Sequence, residues 1–196
     1  MFLSFRAGIP HIWRSDPDGG NVLQLTNGAG EASPDCSPDG LWLTFGYAPW
    51  IVPAPPVLGV WRLPIDGGQP MQIWNRPGWS RISPDGKNVL VGDGTGKVAI
   101  VPADGGQARS LDHLIHLSRA AGLVAWAPDG ASLLYVQTTG GVSNIWRQPL
   151  DGGEAKSLTN FTSLRITWFD VSRDGKKLAL ARGSIASDVV LIRDLK

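Results

Sequence analysis

Four aspartates, Asp39, Asp85, Asp129 and Asp174, recur at intervals of 46, 44 and 45 residues. Carboxylates brought together in pairs can do general acid and base work. Three of the four follow a serine by two positions (Ser37, Ser83 and Ser172), and a serine hydroxyl is a nucleophile when a base activates it. The chain has three histidines, His11, His113 and His116. His113 and His116 are close enough in sequence to share a metal ion, but no third ligand stands at a recognisable spacing, so no metal site is expected. No Gly-x-Ser-x-Gly elbow is present to activate a serine. The single cysteine, Cys36, has no motif partner and is expected to pack within a strand.

The same residues have a mechanical explanation. The aspartates lie in one repeated phrase: Ser37-Pro38-Asp39-Gly40, Ser83-Pro84-Asp85-Gly86, Ala127-Pro128-Asp129-Gly130 and Ser172-Arg173-Asp174-Gly175. Proline presets φ at the second position of a turn, aspartate suits the third, and glycine takes the left-handed position that closes it. Asp-Gly between apolar runs signals a hairpin in which both residues tolerate positive φ. A second phrase alternates with the first: Asp18-Gly19-Gly20, Asp66-Gly67-Gly68, Asp104-Gly105-Gly106 and Asp151-Gly152-Gly153. Identical use in four repeats argues against a single active site, so no catalytic residue, cofactor or enzymatic activity is expected. A fixed period in this range marks a repeat architecture. Two kinds of hairpin per period give four short strands, one blade of a β-propeller.

Composition agrees with an all-β fold. With 25 Gly, 15 Pro and 42% apolar residues, the 196-residue chain reads as one turn-rich domain. A net charge of +1 makes no electrostatic case for nucleic acid or an anionic membrane. No apolar run approaches the ~20 residues of a membrane span, so no membrane insertion is expected. One cysteine excludes an intramolecular disulfide framework. Met1–Arg6 is too short for the apolar core of a signal peptide and reads as a strand in progress.

With strands named a to d from the axis outwards, the Pro-Asp-Gly turn joins a to b and the Asp-Gly-Gly turn joins c to d. Residues 1–26 then form a partial blade with b at Phe2–Phe5, c at His11–Ser15 and d at Val22–Thr26. Residues 32–74 form the second blade, with b at Leu41–Phe45 and c at Val60–Pro64. Residues 78–111 form the third, with b at Asn88–Val91 and c at Lys97–Pro102. Residues 122–159 form the fourth, with a at Leu123–Trp126, b at Ser132–Gln137, c at Asn144–Gln148 and d at Ala155–Leu158. Residues 166–196 form a partial fifth, with a at Ile166–Val171, b at Lys177–Ala181 and c at Val189–Arg193. The c strands share Ile12-Trp13-Arg14, Val60-Trp61-Arg62 and Ile145-Trp146-Arg147, while the third has Ala99-Ile100. A tryptophan on a packed sheet face buries a large apolar area, so these are read as packing between blades. The first blade lacks an a strand and the last lacks a d strand, which predicts an open arc of a larger propeller. Its end faces would be covered by further blades or by a second chain.

Ser-Pro-Asp-Gly, an apolar b strand, Ile-Trp, Asp-Gly-Gly and the Leu-Thr of Leu25-Thr26 and Leu158-Thr159 together resemble the TolB-type propeller repeats, relatives of WD repeats. The resemblance covers nearly the whole chain. Arg173 in place of the turn proline and Ala99 in place of the c-strand tryptophan depart from the pattern. It implies a propeller segment of a larger bacterial protein, in which such propellers accompany winged-helix or serine/threonine kinase domains, and an extracytoplasmic location. A non-catalytic module that binds a protein or peptide is the reading it supports. A carbohydrate-active or peptidase-associated propeller with its site at the channel mouth is the alternative.

Variable d–a and b–c loops on a rigid scaffold are where recognition tends to reside. The b–c loop of the second blade, 47–57, is apolar and rich in proline. It either presents Trp50 and Ile51 to a partner or folds over its own blade. The d–a loop 112–121 carries His113, His116 and Arg119. Asn75, Arg76 and Trp79 form a second polar-aromatic loop, and Asn160, Phe161 and Arg165 a third. Together these can line a site for a peptide or a sugar; singly each is ordinary surface.

Overall fold

The computed structural model describes residues 1–47, 58–93, 96–111, 123–172 and 174–184. These form five antiparallel sheets. The first holds β1 (Phe2–Ala7), β2 (Ile9–Arg14) and β3 (Leu23–Gln24). The second holds β4 (Glu31–Cys36), β5 (Trp42–Tyr47), β6 (Val60–Pro64) and β7 (Met71–Trp74). The third holds β8 (Trp79–Ile82), β9 (Asn88–Gly92), β10 (Val98–Pro102) and β11 (Arg109–Ser110). The fourth holds β12 (Val124–Trp126), β13 (Ser132–Thr139), β14 (Val142–Pro149) and β15 (Lys156–Ser157). The fifth holds β16 (Arg165–Val171) and β17 (Leu178–Gly183). Within each sheet the strands lie side by side in chain order, as blades require. The c strand expected at Val189–Arg193 lies outside the described residues.

The Pro-Asp-Gly turns differ from expectation in one detail. Only the glycines, Gly40, Gly86, Gly130 and Gly175, are left-handed, with φ between 66° and 74°. The aspartates are not, because the turn is a type I turn closed by a left-handed glycine. Each glycine N–H donates back to the residue three before it, as Gly40 does to the Ser37 carbonyl at 2.9 Å. The serine and aspartate brace the same turn. The Ser83 hydroxyl donates to Asp85 Oδ1 (2.6 Å) and accepts from Asn88 N (2.9 Å), while Asp85 Oδ1 accepts from Lys87 N (3.0 Å). Ser37–Asp39 and Ser172–Asp174 repeat the arrangement.

The serine hydroxyl is the main reason that the carboxyls of Asp39, Asp85 and Asp174 titrate below their ordinary value. A depressed folded-state value adds stability that is fully present above the unfolded value of 3.8 and is lost as pH falls through the lower folded one. Unfolding midpoints measured at descending pH should therefore drop below about pH 4. Ser83→Ala should cost about 1 kcal/mol at neutral pH and shrink that acid dependence. An unchanged pH profile in Ser83→Ala would contradict this account.

The hairpin between β13 and β14 runs further than the sequence suggested. Gly140 and Gly141 both have positive φ, a two-residue turn matched to strand twist, so pairing continues to Thr139↔Val142. The Leu-Thr signature is explained by the c strand beside it. Leu25 N and Leu158 N donate to the Ile12 and Ile145 carbonyls, both at 2.8 Å. The following threonine hydroxyls then accept from Ile12 N (3.0 Å) and Ile145 N (2.9 Å), so a side chain extends the ladder by one bond.

Apolar clusters lie between successive sheets. Ile12, Leu43, Phe45 and Leu63 join the first to the second, and Val60, Val89, Val91 and Val101 the second to the third. Leu90, Val98, Val124 and Leu133 join the third to the fourth, and Leu134, Val136, Ile145 and Phe169 the fourth to the fifth. Val89, Leu90 and Val91 are fully buried because alternate residues of β9 face opposite neighbours. Trp61 and Trp146 pack into the joint with the preceding sheet, as expected of inter-blade packing. The joint that contains Ala99 holds Trp42 and Trp74 instead. Trp13 carries the Arg6 guanidinium 4.7 Å from its ring centre. No cluster among the described residues joins the first sheet to the fifth, so the sheets form an arc rather than a closed ring.

The arginine after each c-strand tryptophan also has a task. Arg14 reaches Asp66 of the next sheet's Asp-Gly-Gly turn at 3.0 Å. Arg62 does the same to Asp104 and the Ala103 carbonyl, with its guanidinium 4.4 Å from the Trp42 ring centre. Arg147 turns instead to Asp129 of its own sheet.

Candidate functional site

The innermost strands carry the site. Two positions before the first residue of each Pro-Asp-Gly phrase stand Asp35, Arg81, Ala125 and Asp170. Strand pleating turns this position toward the following sheet and the position after it toward the preceding one. Asp35 on β4 accordingly accepts from Ile82 N of the third sheet through Oδ2, at 2.6 Å. Trp126 on β12 donates from Nε1 to the Arg81 carbonyl, also in the third sheet, at 2.9 Å. The inner edge of β8 is thus satisfied by side chains from both neighbours, which leaves its polar backbone stable beside the axis.

These strands wall a cleft of about 550 Å³. Asp35, Arg81, Trp126, Trp168 and Asp170 line it, together with Pro38, Pro84 and Pro128 of the turns. The mouth is therefore at the Pro-Asp-Gly end. The sequence pointed to the opposite, variable-loop end. The proline rings stand at one register in successive sheets, and the turns rest on one another: a Cβ on Gly175 would lie 3.1 Å from Pro128. They build a mouth that loop variability does not reveal.

Electrostatically the cleft holds two carboxylates and one guanidinium. Burial pushes the Asp35 carboxyl above its ordinary value, and the Ile82 N–H and the Arg81 charge pull against that rise. Asp170 adds a repulsion that pushes it further up. Asp170 itself is exposed, and its Oδ1 accepts from Val171 N at 2.8 Å. Trp168 is 53% exposed, which is unusual for a residue that normally buries its area, and the Arg81 guanidinium lies 5.9 Å from its ring centre.

The residues singled out from sequence fare differently. Trp79 is core: it is 6% exposed, lies in the third–fourth joint, and a Cβ on Gly92 would be 2.4 Å from its ring. Arg76 is a surface residue over the Trp74 ring at 5.6 Å, with Asp93 at 3.8 Å, and it borders a smaller pocket with Asn75 and Lys97. Arg165 is exposed at the start of β16. Phe161 lies beneath the Arg182 guanidinium, 3.7 Å away. Trp50, Ile51, His113, His116 and Arg119 lie outside the described residues.

Cys36 is a correction of another kind, and His11 is structural. His11 is buried and its Nδ1 lies 2.7 Å from Glu31 Oε2, so it belongs to the joint between the first two sheets. Cys36 ends β4 and is exposed, not packed. A bulge between Ala32 and Asp35, with Ser33 at φ 53°, brings it out to the cleft wall. Asp35, Arg81, Asp170 and Trp168 were missed; the register shared by the first three, two positions before the turn, was the available signal.

Among the described residues no three His, Cys, Asp or Glu side chains are grouped to hold a metal ion, and no helix is long and apolar enough to cross a membrane. No model of a known protein family matches the chain. It is 35% identical over 112 residues to the tricorn protease homolog 1 of Streptomyces coelicolor, a match covering half of this chain and a tenth of that protein. Among solved structures it is similar to a TolB-type protein of Agrobacterium tumefaciens (TM-score 0.66, 17% identity), with 88% of this chain and 69% of that one covered. It is also similar to TolB from Acinetobacter baumannii (TM-score 0.60, 18% identity), with 92% of this chain and half of that one covered. The chain thus spans from a tenth to about two thirds of the length of these proteins. At such identities the likeness shows the fold, and the fold is that of the TolB β-propellers.

Proposed function

We propose that the chain is a non-catalytic propeller module that binds a peptide segment of a partner protein in the axial cleft, as part of a larger bacterial protein. The observation that carries this is Trp168. A largely exposed indole stands on the wall of a cleft that also presents Asp35, Arg81 and Asp170. Aromatic anchors with a few convergent polar groups are what binding pockets use to fix a ligand. The two TolB structures share the scaffold on which this reading rests.

A phage-displayed library of random twelve-residue peptides tests it. Selection on the wild-type chain should enrich binders that lose at least about tenfold in affinity on Trp168→Ala. Arg76→Ala, on the loop side, should keep them. The thermal midpoint of Trp168→Ala should fall only modestly, since about half of the residue is already in water. Enriched peptides that bind Trp168→Ala as tightly as wild type would refute the cleft.

A second reading, a propeller serving a peptidase, rests on the 112-residue match to the tricorn protease homolog. It requires a peptidase domain in the same polypeptide or in a partner, and peptide hydrolysis by the assembly.

A further inference from the structure

We propose that the cleft selects a basic group, an arginine or lysine side chain of the bound peptide, seated on the Trp168 ring beside Asp170. This rests on the cleft being the binding site, and it names what that site takes. Among the described residues the charged side chains on its wall are Asp35, Arg81 and Asp170, two acidic and one basic. Asp35 is half-buried and spends Oδ2 on Ile82 N, whereas Asp170 is exposed and is the carboxylate a ligand can reach. Two positions before Asp170 on the same strand is Trp168, whose indole face attracts cations. The Arg81 guanidinium at 5.9 Å shows that a cation can stand near this ring, while the ring's 53% exposure leaves room for another. An acidic ligand group seated on Trp168 would meet the Asp170 carboxylate two residues along the same strand. A neutral group would gain nothing from the Asp170 charge.

The test uses the full chain labelled with 5-fluorotryptophan, its nine tryptophan resonances followed by ¹⁹F NMR and that of Trp168 assigned with Trp168→Phe. The probes are the N-acetyl methylamides of arginine, of citrulline (its neutral isostere) and of glutamate. The expected result is a saturable shift of the Trp168 resonance with the arginine probe alone, weakened about tenfold by Asp170→Asn. If the citrulline or glutamate probe shifts Trp168 equally, the cleft binds ligands and the basic class is overturned. If Asp170→Asn leaves the arginine titration unchanged, the seating beside Asp170 is overturned. If none of the three moves Trp168, the basic class and the cleft itself are both refuted.

Discussion

Glu31→Ala is expected to destabilise the chain by about 3–5 kcal/mol, the cost of breaking a buried charged group's set of partners. Glu31 is 1% exposed. Its Oε2 accepts from the Thr26 hydroxyl at 3.0 Å and lies 2.7 Å from His11 Nδ1. Its Oε1 accepts from Gly28 N at 2.7 Å. Thr26 in turn accepts from Ile12 N, so one carboxylate ties the c strand, the d-strand end and the connecting loop of the first sheet to the second. Truncation leaves the buried His11 Nδ1 and Thr26 hydroxyl, and the more exposed Gly28 N–H, without their acceptor. Glu31→Gln keeps the shape but loses one acceptor oxygen, and should cost less. In His11→Ala/Glu31→Ala the two losses should sum to less than the single effects, because the partner is no longer stranded. Urea unfolding of the four chains measures this. Strict additivity would mean that the pair does not act as a unit.

Gly78→Ala should cost about 3 kcal/mol or prevent folding, though it adds a single carbon. Gly78 precedes β8 and lies across from the end of β9. A Cβ there would sit 1.9 Å from the Gly92 carbonyl oxygen and 2.9 Å from its carbon. A Cβ on Gly46 would in turn lie 2.3 Å from the Gly78 carbonyl oxygen. These are backbone atoms held by ladder bonds on both sides, so no side chain can swing away to make room. Positive φ is not the reason, since neither Gly46 nor Gly78 has it. Gly183→Ala is the control. It ends β17 with no described residue within 4 Å of the added carbon, and should change stability by less than about 0.5 kcal/mol. Chemical denaturation compares the two. Similar losses would show that the third sheet has room to relax.

Turns and blades are legible in the sequence, because each depends on residues close along the chain. Pro-Asp-Gly builds its turn from its own backbone preferences and from a serine two residues from its aspartate, so the 44–46-residue period was visible directly. The apolar run Val89, Leu90, Val91 was likewise legible as the b strand of the third blade. Roles that depend on a neighbouring sheet were invisible. Trp79 and Trp168 both stand four positions before a turn serine and look equivalent in sequence. One is sealed against Gly92 and the fourth sheet. The other follows a bulge between Ile166 and Trp168 and stands exposed at the cleft. The arginine after each c-strand tryptophan shows the same limit: its aspartate partner is 52 residues away for Arg14 and 42 for Arg62. The sequence by itself therefore determined the repeating unit and its architecture. Only the stacking of one sheet on the next decided which side chains meet at the axis, because that meeting depends on bulges and on the angle between blades rather than on any local preference of the chain.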